Sequence, residues 1–221
     1  MQSLFSNKLE LKEKHIPYTI SITILALTSV VLLMLPVIVN ILNRFSTIDT
    51  SLDIAYYILK GLFGLSIAVG ITIYVLKKNV TAVAIPCLFG FITVLFPLYE
   101  SVTAFTNAYS MAQQLSMSVG YGPYLIDICE HLIYALLCLF TLMFSIGRFR
   151  YILIIMLLSV IGSLSTIFTC VDKYITYDIS VYEILSFGYA AVACLIPLLL
   201  VLSVNSKDVT KREKYKARRM K

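Results

Sequence analysis

Charge is what this sequence has least of. Only 14% of its 221 residues are Asp, Glu, Lys or Arg, against about 25% in an ordinary soluble domain. That scarcity excludes a soluble enzyme, a disordered linker and a nucleic-acid-binding domain. The common catalytic signatures are missing as well. There is no Walker motif, no Gly-x-Ser-x-Gly and no His-Glu-x-x-His, so neither phosphate cradling, a nucleophile elbow nor a zincin helix is encoded. Nor is there a Cys-x-x-Cys. The cysteines Cys87, Cys129, Cys138, Cys170 and Cys194 all fall in apolar runs, which reads as buried thiols rather than a disulfide framework. What the chain does have is apolar length: 59% hydrophobic residues and a mean hydropathy of +0.89.

A helix needs roughly 20 mostly apolar residues to cross the hydrocarbon core of a bilayer. Six runs qualify: 18–43, 54–76, 80–99, 123–146, 151–171 and 181–204. They are too long for barrel strands and do not alternate, so they read as helices. The expected fold is an all-α, polytopic membrane protein whose six transmembrane helices form three helical hairpins. Residues 1–17 form an N-terminal segment, 18–204 the membrane domain and 205–221 a basic tail. The first run is too long for the apolar region of a signal peptide, and Asn40, Asn43 and Arg44 follow it in place of a cleavage site, so it reads as a retained anchor.

Lys and Arg placement gives the expected orientation. With the N-terminus cytoplasmic, fifteen of eighteen basic residues lie inside, eight of them in 207–221, and only Arg44, Lys60 and Lys173 lie outside. Six spans return the C-terminus to the cytoplasm, so parity and charge agree on a multi-pass cell-membrane protein with both termini inside. The partners this implies are the bilayer itself, anionic lipid at the basic tail and a cytoplasmic energising or partner subunit, with no nucleic acid. Most acidic residues fall on the outer side, either as the counterpart of that bias or as a basin that concentrates cations.

The fourth span carries the candidate site. Asp127, Glu130 and His131 lie at i, i+3 and i+4, and Tyr134, Cys138, Thr141 and Ser145 continue the same face. Ionisable groups inside a span usually face the bundle interior or water. Three chemistries fit: a divalent metal held by oxygen and imidazole, a proton carried with His131, or a cationic or hydrogen-bonding solute. The alternative is that Asp127 and His131 pair with each other and hold helices together. A Cys–His protease is excluded, because His131 and Cys138 are about 10.5 Å apart along a helix axis and must meet within about 3 Å to react. The Gly-Gly-x-His context of membrane thiol proteases is also absent.

Lys60, in the second span, either snorkels to the interface or pairs with Glu130 or Glu183. Glu183 opens the sixth span, followed on its face by Ser186, Ala190, Cys194 and Pro197. The fifth span has a comparable stripe of Ser159, Gly162, Ser163, Thr166 and Cys170. Both stripes read as close-packing surfaces. Residues 100–122 read as a long outer loop, with Phe105, Ala108, Tyr109, Ala112 and Leu115 on one side of an interfacial helix or lid.

Met1-Gln2-Ser3-Leu4-Phe5, a Lys/Glu-rich turn and a long first span resemble the opening of ABC-type export permeases over roughly the first forty residues. That resemblance implies a membrane subunit paired with a separate ATPase, although the connection near Lys77-Lys78-Asn79 is shorter than such permeases need. The expected function is a small transporter or solute-binding membrane subunit, centred on Asp127, Glu130 and His131 with Lys60 and Glu183 next. The alternatives are the exporter subunit, an intramembrane lipid-modifying enzyme, and a non-catalytic assembly or immunity protein. No cofactor is identifiable.

Overall fold

A computed structural model describes residues 15–44, 51–77, 80–115, 120–147, 151–176 and 181–203. These form α1 (His15–Arg44), α2 (Ser51–Lys77), a 3-10 turn (Val80–Val83), α3 (Ala84–Leu115), α4 (Gly122–Ser145), α5 (Ile152–Thr176) and α6 (Val181–Ser203), with no strand among the described residues. All six α-helices are long and apolar enough to cross a membrane. The protein is therefore an all-α, multi-pass membrane protein. The predicted tail and most of the N-terminal segment lie outside the described residues.

In lipid the backbone must satisfy its own hydrogen bonds, which is why apolar runs of this length become helices. Hydroxyls within the spans follow the same rule: Thr23, Thr28, Thr72, Thr93 and Thr141 each donate to the carbonyl four residues back. Gly147 ends α4 with φ 94°, a backbone that side chains with a Cβ disfavour, and its N–H caps the Phe144 carbonyl.

The helices pack as three hairpins, α1/α2, α3/α4 and α5/α6, in a ring that closes where α6 meets α1. α6 also leans inward. It reaches α4, and it meets α2 through the Phe63–Tyr189 ring contact and the 2.8 Å Tyr74–Ser203 hydrogen bond. The tightest packing is at the end that holds Gly147, where Tyr74, Val80, Phe144, Ile155 and Leu200 are almost fully buried. The outward faces stay apolar, as with Ile24, Leu27 and Val31 of α1, and contact lipid.

One element differs from expectation. Residues 100–115 are not a loop but the continuation of α3. At 1.5 Å per residue its 32 residues span about 48 Å, well beyond a hydrocarbon core of about 30 Å. The supposed loop has no charge between Ser101 and Leu115 and no breaker before Gly120, so nothing in it stops the helix. Phe105 and Tyr109 sit against Tyr121 at the turn into α4.

Glycine sets the α2–α3 approach. A Cβ on Gly70 would lie 2.6 Å from Pro86 Cγ and 2.9 Å from the Ala82 carbonyl oxygen, whereas Gly61 has nothing within 4 Å. Gly70→Ala is expected to cost about 1–3 kcal/mol through overpacking. Gly61→Ala is expected to stay within about 0.5 kcal/mol of wild type. Unfolding of the two variants in mixed micelles checks the difference.

Candidate functional site

Gly122 and Pro123 open α4, and proline is tolerated there because the first turn needs no N–H partner. Asp127, Glu130 and His131 follow in its second and third turns. At 100° per residue Glu130 points about 60° away from Asp127 and 100° from His131. In the structure that divergence sends them to different neighbours.

Asp127 and His131 face α3. Ser101 Oγ, buried on α3, lies 2.5 Å from Asp127 Oδ2 and 2.9 Å from the Pro97 carbonyl oxygen, and its one hydrogen serves one acceptor at a time. His131 Nδ1 lies 2.8 Å from the Asp127 backbone carbonyl oxygen and 3.5 Å from Ser101 Oγ. Serine, histidine and aspartate thus meet, but not as a catalytic triad. That chemistry needs the imidazole between hydroxyl and carboxylate, whereas here Ser101 bonds the carboxylate directly.

Glu130 faces α5. It is only 6% exposed. Its Oε1 is 2.6 Å from the Tyr134 hydroxyl, and its Oε2 accepts from Thr169 at 3.2 Å. The Tyr134 hydroxyl also contacts Thr166 Oγ1, which donates to the Gly162 carbonyl at 2.8 Å. The α5 stripe read as a packing surface is one: Ser159, Gly162, Ser163 and Thr166 are all buried. Thr166 adds a hydrogen bond to that seam, while Ser159 Oγ is buried without a partner.

The three ionisable groups therefore form two sub-clusters joined by the α4 backbone. Among the described residues no three His, Cys, Asp or Glu side chains come together as a metal site requires.

Lys60 is placed against neither Glu130 nor Glu183. Its ammonium sits over the Tyr56 ring, 4.3 Å from the centroid, and Tyr56 stacks on Phe96 of α3 at 5.6 Å. The acid whose field reaches Lys60 is Glu100, assigned from sequence to a loop and carried here on α3. Glu183 is exposed in the first turn of α6, where a carboxylate favours the helix dipole.

Beside these clusters lies a partly open cavity of about 140 Å³, lined by α2, α3, α4 and α6 with Val83 of the 3-10 turn. Its wall is apolar, with Phe63, Tyr134 and Tyr189 towards the Asp127 end and Ile71, Thr141 and Leu200 towards the Gly147 end. Ala190, Cys194 and Pro197, read as part of a packing stripe, line it. Cys87 and Cys138 line it too, whereas Cys129 is exposed on the outside of α4. Ser101, Thr169, Phe63 and Tyr189 escape a sequence reading, whereas Tyr134 lies on the face that the spacing picks out. The helical spacing of Phe105, Ala108, Tyr109, Ala112 and Leu115, with no breaker before Gly120, is the signal that the helix continues. Tyr134 is the one residue common to the cavity and the Glu130 cluster.

Comparison of the chain with known protein families, characterised proteins and solved structures finds no match. The likeness to export permeases rests on the opening residues alone.

Splitting the cluster has a measurable consequence. In a double-mutant cycle, Ser101→Ala and Asp127→Asn are expected to couple by about 0.5–2 kcal/mol in unfolding free energy. Ser101→Ala and Glu130→Gln, which share no partner, are expected to add. Equal coupling in both cycles would mean that the three groups act as one cluster.

Proposed function

We propose that this protein is a small membrane transporter or the solute-binding membrane subunit of a larger one, with a site in the cavity between α2, α3, α4 and α6. The observation that carries the reading is the shared wall at Tyr134. One side of its ring lines an apolar cavity, and its hydroxyl reaches a buried carboxylate. A binding site for a small molecule is typically such a space: apolar, with a few placed polar groups at one end. Helix packing alone does not require it, because close-packed interiors leave few voids of this size.

The cavity limits the solute. An apolar cavity of about 150 Å³ accepts benzene, so the solute's apolar part is about the size of one aromatic ring. Phe63, Tyr134 and Tyr189 supply flat faces for it. Glu130 acts through Tyr134, while Asp127 with His131 and Lys60 over Tyr56 form polar contacts at the same end of the bundle. Glu183 is peripheral. The Lys and Arg distribution supports a cell-membrane protein with both termini cytoplasmic, the basic tail on anionic lipid and the candidate site facing outward.

Filling the cavity tests the reading. Ala193, which lines it, is changed to Phe, and binding of fluorobenzene to the protein in nanodiscs is followed by fluorine NMR. Wild type is expected to give a saturable bound signal above partitioning into lipid. Ala193→Phe is expected to abolish that signal and to keep the wild-type helical content. A saturable signal of the same size in the variant would rule the cavity out as the site.

A further inference from the structure

We infer that the solute of this cavity is a neutral single-ring aromatic molecule carrying a hydrogen-bond donor, such as a phenol, and that the donor lies on the Ala193 carbonyl oxygen. The inference rests on the solute-binding reading of the cavity and adds the chemistry of what is bound. The observation behind it is a proline on the cavity wall. α6 runs unbroken from Val181 to Ser203 with Pro197 inside it. Proline has no N–H, so the carbonyl four residues back loses its helical partner. That carbonyl belongs to Ala193.

Position decides where the freed acceptor faces. Ala193 and Pro197 are one turn apart on α6, and both line the cavity with Ile196. A helical carbonyl points along the axis toward the residue four on, so the Ala193 oxygen lies between two groups of the cavity wall. The neighbouring N–H groups of Ile196 and Leu198 serve Val192 and Cys194 in the regular ladder. The prolines of α3 do not create such a group. Pro86 sits in its first turn, where a missing N–H costs little. Pro97 frees the Thr93 carbonyl, but neither Thr93 nor Pro97 lines the cavity.

A carbonyl freed by proline in a membrane helix is normally taken up by a Ser or Thr side chain or by a neighbouring helix. The hydroxyls of this cavity are directed elsewhere. Thr141 donates to the Leu137 carbonyl of its own helix. Tyr134 is engaged with Glu130 and Thr166. Tyr189 stands one turn before Ala193 and packs its ring against Phe63. Helical side chains lean toward the N-terminus, whereas the Ala193 carbonyl points toward the C-terminus, so the two diverge. The cavity therefore presents an acceptor in an apolar wall, and a donor is what complements it.

The wall sets the rest of the class. Phe63, Tyr134 and Tyr189 supply ring faces, and the size suits one aromatic ring. Among the described residues no charged side chain lines the cavity. An ammonium or a carboxylate entering it would lose water without meeting a counter-charge, which is strongly disfavoured. A neutral hydroxyl loses less, and one hydrogen bond to a carbonyl replaces what it loses.

The test uses the full chain in nanodiscs with two probes, fluorobenzene and para-fluorophenol. Binding is followed by fluorine NMR and corrected for partition into protein-free nanodiscs. The phenol is expected to bind about threefold to tenfold more tightly, the gain of one neutral hydrogen bond. Pro197→Ala returns a backbone N–H to the Ala193 carbonyl, and the ratio of the two affinities is expected to fall to unity. A second readout observes the carbonyl itself. Ala193-Cys194 is the only Ala-Cys step in the chain, so isotope labels on the alanine carbonyl carbon and the cysteine nitrogen single it out by NMR. Its resonance is expected to shift with the phenol and not with fluorobenzene. Equal affinities in wild type overturn the inference, as does an Ala193 carbonyl that ignores the bound phenol. A preference that survives Pro197→Ala and disappears in Tyr189→Phe also overturns it, because the donor then lies on Tyr189. Should Pro197→Ala not fold, the carbonyl resonance in wild type decides. No saturable binding of either probe overturns the solute-binding reading itself, whereas fluorobenzene binding without the preference overturns this inference alone.

Discussion

A bilayer gives apolar helices no hydrophobic reason to associate, because a lipid tail is as apolar as a leucine. Everything in this bundle depends on what replaces that force. Two devices do so. Small residues let backbones approach, as where Gly70 admits Pro86 and Gly162 lies against Cys194 and Ile133. Hydroxyls and carboxylates bond across seams, as at Tyr74–Ser203, Ser101–Asp127 and Thr169–Glu130. Each such bond is worth only about 0.6 kcal/mol on average in a membrane, so the seams depend on several together. The helices themselves need no tertiary help, since lipid already forces their backbones to pair internally.

Those devices are distributed unevenly along the bundle. The Gly147 end is closed by a dense core of Tyr74, Val80, Phe144, Ile155 and Leu200. The opposite end is held by three polar contacts, Lys60 over Tyr56, Asp127 with Ser101, and Glu130 with Tyr134 and Thr169. The cavity lies between. A dense apolar core resists change, because any void or overlap costs contacts. Polar contacts can exchange partners without leaving a void. Opening at the Asp127 end therefore disturbs less packing than opening at the other.

The class of fold was legible in the sequence because it follows from a length. Six apolar runs of twenty residues or more leave the chain little choice, and short connections make neighbours antiparallel. The third span shows where that reasoning fails. Hydropathy falls after Tyr99, so the span was expected to stop there. A helix, however, is ended by breakers and unmet backbone groups, not by polarity, and Thr103, Thr106, Asn107 and Ser110 simply continue it. Read as a loop, that segment hides Ser101, the partner of Asp127, and Glu100, the acid whose charge reaches Lys60. Pairing Asp127 with His131 was one expected alternative, and His131 does lie against the Asp127 backbone.

The candidate site was legible by element but not by geometry. Spacing places Asp127, Glu130 and His131 on one face, yet a face of a helix is more than 100° wide and two neighbouring helices can share it. A 60° divergence is enough to turn Asp127 towards α3 and Glu130 towards α5. Which neighbour each side chain meets depends on the packing of helices that periodicity does not describe. The cavity was hidden for the same reason. Phe63, Tyr134 and Tyr189 come from three spans, and although Tyr134 stands on the polar face, Phe63 and Tyr189 are unremarkable within their own apolar runs. What joins them to the ionisable groups is the length of one side chain. Tyrosine alone combines a ring that belongs in an apolar wall with a hydroxyl that must find a partner when buried. At position 134 that partner is the most deeply buried acid among the described residues, so the polar cluster and the cavity form one structure through a single phenol.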